Sequence, residues 1–182
     1  VTPIVYAVSQ GKISIFRYDA GLNWQLNHIS YNDLTSDVHA HNNQWGINPT
    51  IQVMMPFGKM KEHNLMLSYK RTMSDIPYSA ISSAVTWIDS YNYSIGNANL
   101  KAPSSDMLMA GLSMFRNKVT LIAIYAYVHN RIYWQTFSDE ENPENLYTKP
   151  INLLGQSYWE WEQNIWKLRL NGGTSNCRGV WR

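Results

Sequence analysis

Few residues in this sequence stand in arrangements that could do chemistry. The first is Asp37-Val38-His39-Ala40-His41. On an extended segment, histidines at i and i+2 share a face, and with Asp37 they could hold a divalent metal. No third histidine lies nearby, so a solvated polar loop is the plainer reading and no metal or other cofactor is expected. Ser30 and His28 share a face at a strand end, as a nucleophile and its base would, but spacing places no acid to orient the base. Glu160 and Glu162 alternate with Trp159 and Trp161 and point to the other side, whereas a glycosidase needs a cleft and two separated acids. Asp139-Glu140-Glu141 with Glu144 forms an acidic loop tip, either a weak external calcium site or a solvated charged tip. No catalytic residue emerges, and the chain is expected not to be an enzyme. What remains is aromatic. Tyr78, Trp87, Tyr91 and Tyr93 fall in one long segment, where they could stack on a sugar or a hydrophobic nutrient, or pack on each other as a cap.

The composition narrows the setting for those residues. Of 182 residues only 15% are charged, against about 25% in an average soluble domain. Asparagine (18) and serine (17) supply the polarity instead, and the aromatics are 12 Tyr, 8 Trp and 4 Phe. Amphipathic rings with few charges suit a surface that is apolar on one side and wet on the other. A net charge of +2 without a Lys/Arg cluster excludes nucleic acid as a partner. One cysteine, Cys177, excludes an intrachain disulfide framework and a structural zinc site. The longest apolar run, Leu121 to Val128, has eight residues, far from the roughly 20 of a membrane-spanning helix. A membrane β-barrel passes that test, because its strands need only about 9–11 residues.

The elements that carry this surface have a period of two. From Tyr18 to His28, Tyr18, Ala20, Leu22, Trp24 and Leu26 alternate with Asp19, Gly21, Asn23, Gln25 and Asn27, which is a strand with one apolar face. Further strands follow at 47–55, 64–70, 107–114 and 119–134, with a last pair turning at Gln163-Asn164. Short connections (Pro56 to His63, Arg116-Asn117-Lys118, Gln163-Asn164) alternate with long ones (Ile29 to Gln44, Thr72 to Ser105, Gln135 to Pro150). In an antiparallel meander this puts every tight turn at one end and every long loop at the other, the layout of an outer-membrane barrel. The expected fold is all-β: an antiparallel meander of about eight strands, part of a transmembrane β-barrel or a small one in itself. The alternative is a secreted soluble β-sandwich that binds carbohydrate. Its test is burial, because a sandwich hides Ala20, Leu22, Trp24, Leu65 and Leu67 between two sheets. Residues 1–171 are expected to form one partial barrel domain. The chain opens at Val1 with no initiator methionine or signal peptide, which suggests a fragment or mature piece. Residues 172–182, holding Cys177, show no strand or helix pattern and are expected to be an irregular tail, with a cloning remnant as one source.

The central segment carries a likeness. It contains Leu65-Met66-Leu67-Ser68-Tyr69-Lys70-Arg71, then Ile76-Pro77-Tyr78-Ser79-Ala80-Ile81, then Trp87-Ile88-Asp89-Ser90-Tyr91-Asn92-Tyr93-Ser94-Ile95-Gly96-Asn97-Ala98-Asn99-Leu100-Lys101. These residues resemble the outer-membrane β-barrel domain of TonB-dependent-receptor-like proteins of the Bacteroidetes type. In that family a strand ending Leu-Ser-Tyr-Ser-Arg precedes Arg-Pro-x-Tyr-x-x-Leu and Asp-Pro-Tyr-x-Tyr-x-x-Gly-Asn-Pro-x-Leu-Lys-Pro. Here Ser90 replaces the first proline of the last motif, Ala98 the second and Ala102 the last, with Pro103 one place later. The Gly96-Asn97 pair suits a turn with positive φ. The resemblance implies a receptor of about 22 strands with a plugged lumen, of which this chain would be a C-terminal part. It implies the outer membrane of a Gram-negative bacterium, contact with outer-membrane lipid, an unidentified nutrient as ligand, and TonB engaged only through a plug that this sequence does not contain.

Overall fold

The alternation that begins at Tyr18 extends well past its apolar residues. A computed structural model describes residues 4–33, 38–166 and 174–181. In it β1 (Ile4–Ile13) and β2 (Phe16–Asp33) form a hairpin, β3 (Val38–Phe57) pairs back on β2, and β4 (His63–Met73) follows. After a long connection come β7 (Ser104–Met114) and β8 (Val119–His129), and after a second one β11 (Gln156–Trp166) and β12 (Thr174–Trp181). All are antiparallel in one eight-stranded sheet ordered β1-β2-β3-β4-β7-β8-β11-β12. The order is linear, so β1 and β12 are its two edges.

Register shows what the sheet is for. Ala20, Ile51, Tyr69, Leu108, Tyr125 and Trp159 stand in one row across six strands. The next row toward the tight turns on that face is Tyr18, Val53, Leu67, Ala110, Ala123 and Trp161. One residue over, on the opposite face, the row is Asp19, Gln52, Ser68, Met109, Ile124 and Glu160. The apolar face is uncovered: Leu22 is 49% exposed, Ile51 46%, Leu67 50% and Leu108 52%. A sandwich would bury these side chains, so that alternative is set aside. Leaving one such side chain in water costs about 1.5–3 kcal/mol. A band of them across six strands exceeds any patch an ordinary soluble monomer exposes. Hydrocarbon removes that cost, and the ladders satisfy the backbone within the sheet, as a bilayer requires.

Several local expectations are corrected. Gln163-Asn164 is no turn, because β11 runs through it, paired with both β8 and β12. Segment 29–44 is largely hairpin rather than loop, since polar residues satisfy a ladder as well as apolar ones do. The strand read over 119–134 breaks at Asn130, whose φ of 52° an asparagine tolerates. The tail expected to be irregular contains β12, in register with β11 from Trp166↔Thr174 to Trp159↔Trp181. The edge strand β1 was not anticipated.

Tight turns join β1 to β2, β3 to β4 and β7 to β8 at one end of the wall. The last holds Phe115, Arg116 and Asn117 at positive φ. It is tied to its neighbour by the Arg116 N–H, which donates to the Glu62 carbonyl at 2.9 Å, and the Phe115 N–H, which donates to His63 Nδ1 at 3.1 Å. Phe57, His63 and Phe115 pack there with ring centroids 5.0 and 5.2 Å apart.

Candidate functional site

The two long connections leave the opposite end of the wall and fold together. The first carries α1 (Tyr78–Ile81), β5 (Thr86–Trp87) and β6 (Asn92–Ser94), and the second carries β9 (Arg131–Ser138) and β10 (Leu146–Leu153). They form a second sheet ordered β5-β6-β10-β9, with β6 and β10 parallel. Beneath it lies the buried apolar cluster of the described residues: Ile76, Ala80, Ile81, Leu100 and Ala102, with Met73 and Ile132 against it. The mouth of the wall thus has a core of its own.

Side-chain amides hold this cap where ladders stop. Asn97 Nδ2 donates to the Pro150 carbonyl at 3.0 Å. Asn152 accepts the Lys101 N–H at 2.8 Å and donates to the carbonyls of Lys101 and Asn130 at 2.9 and 2.8 Å. Gln44 of β3 donates to the Leu100 carbonyl at 2.7 Å and accepts the Ala102 N–H. Gly96 is needed for close approach rather than for positive φ, which neither it nor Asn97 has. Its N–H donates to the Ser82 carbonyl at 2.8 Å, and a Cβ there would collide with that oxygen and stand 2.7 Å from the Ser82 nitrogen.

The bend between β5 and β6 is built on Asp89. Its carboxylate accepts the N–H groups of Tyr91 and Asn92, both at 2.8 Å, and the Asn92 side-chain amide at 2.8 and 3.0 Å. The Asn92 side chain first, then the Tyr91 N–H, hold the carboxyl below its ordinary value of 3.8. A depressed folded value stabilises the bend above the ordinary carboxylate range, and that stability is lost as pH falls through the folded value. Amide exchange at Tyr91 and Asn92 should therefore stay protected at pH 5 and accelerate only below the usual carboxylate range. Asp89→Asn should remove that pH dependence. Acceleration already at pH 5 would contradict this.

Four rings then line up across the cap sheet. Trp87 lies 5.0 Å from Tyr93, Tyr93 stacks on Tyr147 at 5.6 Å, and Tyr147 stacks on Phe137 at 5.4 Å. Tyr93 Oη donates to Asp139 Oδ2 at 3.1 Å, and partial burial followed by that bond pushes the phenol above its ordinary value. Alternation sets the ladder on the face away from the core, because buried Pro150 and core-packed Ile132 lie on the other side of β10 and β9. Trp87 ends the ladder on the edge strand and is 55% exposed.

Of the four aromatics expected to meet a ligand, the structure brings together Trp87 and Tyr93. Tyr91 is exposed beside them, its carbonyl accepting the Leu146 N–H at 2.8 Å. Tyr78 stands exposed at the start of α1. Sequence reasoning missed Tyr147 and Phe137, which reach the ladder only through pairing between separate segments. Asp37 lies outside the described residues, and so do the side chains of His39 and His41. Among the described residues no three potential metal ligands gather. His28 faces the Asn43 side chain rather than an acid. Asp139 is engaged by Tyr93 and by the Glu141 N–H.

Comparison with known proteins follows from this geometry. Residues 4–165 match the outer membrane protein beta-barrel family. No curated protein sequence matches the chain. Among solved structures, the ferric enterobactin receptor PfeA of Pseudomonas aeruginosa (a Q482A mutant in complex with enterobactin) superposes with a TM-score of 0.69 at 13% identity, over 100% of this chain and 27% of that one. The Serratia marcescens hemophore receptor HasR, in complex with its hemophore HasA and heme, gives 0.63 at 15% identity, over 90% and 31%. The siderophore receptor PirA of Pseudomonas aeruginosa gives 0.63 at 11% identity, over 99% and 42%. At such identities the likeness is one of fold, and the chain spans less than half the length of each of these proteins.

Proposed function

The chain belongs to the outer membrane protein beta-barrel family, and from that premise we propose that it is a sector of a nutrient-uptake receptor, with residues 1–171 forming barrel wall and mouth and β12 adding one more stave. Its place is the outer membrane of a Gram-negative bacterium. Lipid wets the apolar face of the wall, and the polar face lines the lumen. The observation that carries the reading is the cap: two long connections from one end of the wall share a core and present an aromatic ladder outward.

In this reading Trp87, Tyr91 and Tyr93, with Tyr78 at the start of α1, contact the nutrient, and Tyr147 and Phe137 extend the contact surface. The chain binds and orients, and it catalyses nothing. A plug contributed by a longer protein blocks the lumen and moves when TonB engages it. Because two of the similar structures are held with enterobactin or with hemophore and heme, an iron chelate is the candidate cargo.

The test is titration of the whole protein in micelles with ferric enterobactin and with heme, followed by intrinsic fluorescence. One of the two should bind, and Trp87→Ala should weaken it on the order of 10-fold, the loss typical of an exposed aromatic anchor. Failure of both ligands to bind would remove the iron-chelate assignment. Unchanged affinity in Trp87→Ala and Tyr147→Ala would remove the ladder from the site.

A further inference from the structure

The polar face of the wall changes character from one end to the other. Toward the mouth β2 presents neutral amides there, Asn23, Gln25 and Asn27. Toward the tight turns the same face becomes basic. Arg17 stands between Lys12 of β1 and Met54 of β3, and Pro56 stands beside Asn64 one row nearer the turns. By alternation all five lie on the face of Asp19, Gln52 and Ser68, opposite Leu67.

Together with Ile15 of the β1–β2 turn and Lys61 of the β3–β4 turn, these residues enclose a hollow of about 250 Å³. Lys61 is set there by a turn in which its φ is 54° and its N–H donates to the Gly58 carbonyl at 3.2 Å.

Three cations and no carboxylate line the hollow. Among the described residues none of the three forms an ion pair. The acids nearest to them in sequence are engaged elsewhere. Asp19 Oδ2 accepts the Gln10 amide at 2.8 Å. Glu62 Oε2 accepts the Met60 N–H at 2.7 Å, and its Oε1 stands 3.6 Å from His63 Nε2. Like charges gathered on one hollow repel, and a multivalent anion removes that cost while making charge-assisted hydrogen bonds. Arg17 offers a fork for one oxyanion and the two lysines take point contacts with others. Ile15, Met54 and Pro56 add apolar walls, which suit a carbon skeleton better than a bare inorganic ion. The volume is below the roughly 300–1,000 Å³ of pockets for drug-sized ligands, so the ligand that fits is small.

We propose that this hollow is an anion station at the periplasmic end of the lumen, holding a small organic polycarboxylate on its way out of the barrel. The proposal rests on the reading that the polar face lines the lumen of an uptake receptor, and it names the chemistry of what leaves by that route.

The experiment is isothermal titration of the whole protein in maltoside micelles at low salt, with citrate, its neutral triethyl ester and inorganic phosphate as probes. Citrate should bind, phosphate should bind several-fold more weakly, and the ester should not bind. R17Q/K61Q should weaken citrate about 10-fold or more, and 0.5 M sodium chloride should weaken it as well. K12Q alone changes one exposed side chain, so it keeps the fold and should still weaken citrate several-fold. K101Q, at the mouth, should have no effect. Absence of citrate binding, unchanged binding in K12Q and R17Q/K61Q, or an equal loss in K101Q overturns the station. Phosphate bound as tightly as citrate overturns the organic-acid assignment in favour of an inorganic anion. The lumen placement is read separately, from a fluorophore on Gln52→Cys in a Cys177→Ser background, one row inward on the same face. In vesicles of brominated lipid that label should stay unquenched, and quenching would remove the placement and the station's route together.

Discussion

Arginine in place of Leu67 is expected to destabilise the protein in a bilayer by about 2–4 kcal/mol, the usual cost of a charge at the lipid face of a membrane strand near its middle. Leu67 stands between Val53 and Ala110 in a row that is apolar across six strands. Its side chain is half exposed. The neighbouring Ser68 lies between Gln52 and Met109 on the other face. Ser68→Arg should cost less than about 1 kcal/mol, as lumen-side changes do. Denaturant titration of refolding into vesicles, with both variants side by side, reads the difference. Equal costs, or the reverse order, would mean that the faces are misassigned.

The second large effect belongs to the cap. Leu100 is 1% exposed in the cluster of Ile76, Ala80, Ile81 and Ala102. Leu100→Ala should cost the cap about 2–5 kcal/mol, the transfer term plus the cavity left behind. The wall meets that core through Met73 at the end of β4, so the loss should centre on the cap. Amide exchange should rise across 76–102 and 131–153 while β3, β4, β7 and β8 keep their protection. Collapse of the wall along with the cap would show the two to be one cooperative unit. No change in exchange would show that the cap does not depend on its core.

Much of the wall was legible because alternation states burial directly. Tyr18 to His28, 47–55, 64–70 and 107–114 each fall inside a strand, and the placement of long and short connections foretold which end carries the mouth. What failed did so for identifiable reasons. Gln163-Asn164 looks like a turn by composition, but a ladder on each side overrides local preference. β12 has no alternation to show, since Cys177, Arg178 and Gly179 owe their strand to pairing with β11. The break at Asn130 is one residue's φ inside an unbroken apolar-aromatic run. The cap is the largest gap. Its sheet joins segments some 50 residues apart, Tyr93 beside Tyr147, and periodicity within a segment carries no information about such a partner. For that reason Trp87 and Tyr93 could be singled out, but not the rings that complete their ladder.

The central claim is that acyl chains touch the face bearing Leu22, Ile51, Leu67 and Leu108. It is tested most directly by single cysteines, in a Cys177→Ser background, carrying an environment-sensitive fluorophore at those positions and at their neighbours Asn23, Gln52, Ser68 and Met109. In vesicles of brominated lipid the first four labels should be quenched by the bromine and shielded from aqueous iodide, and the second four should show the opposite. Labels at 23, 52, 68 and 109 quenched by lipid while those at 22, 51, 67 and 108 answer to iodide would contradict the account.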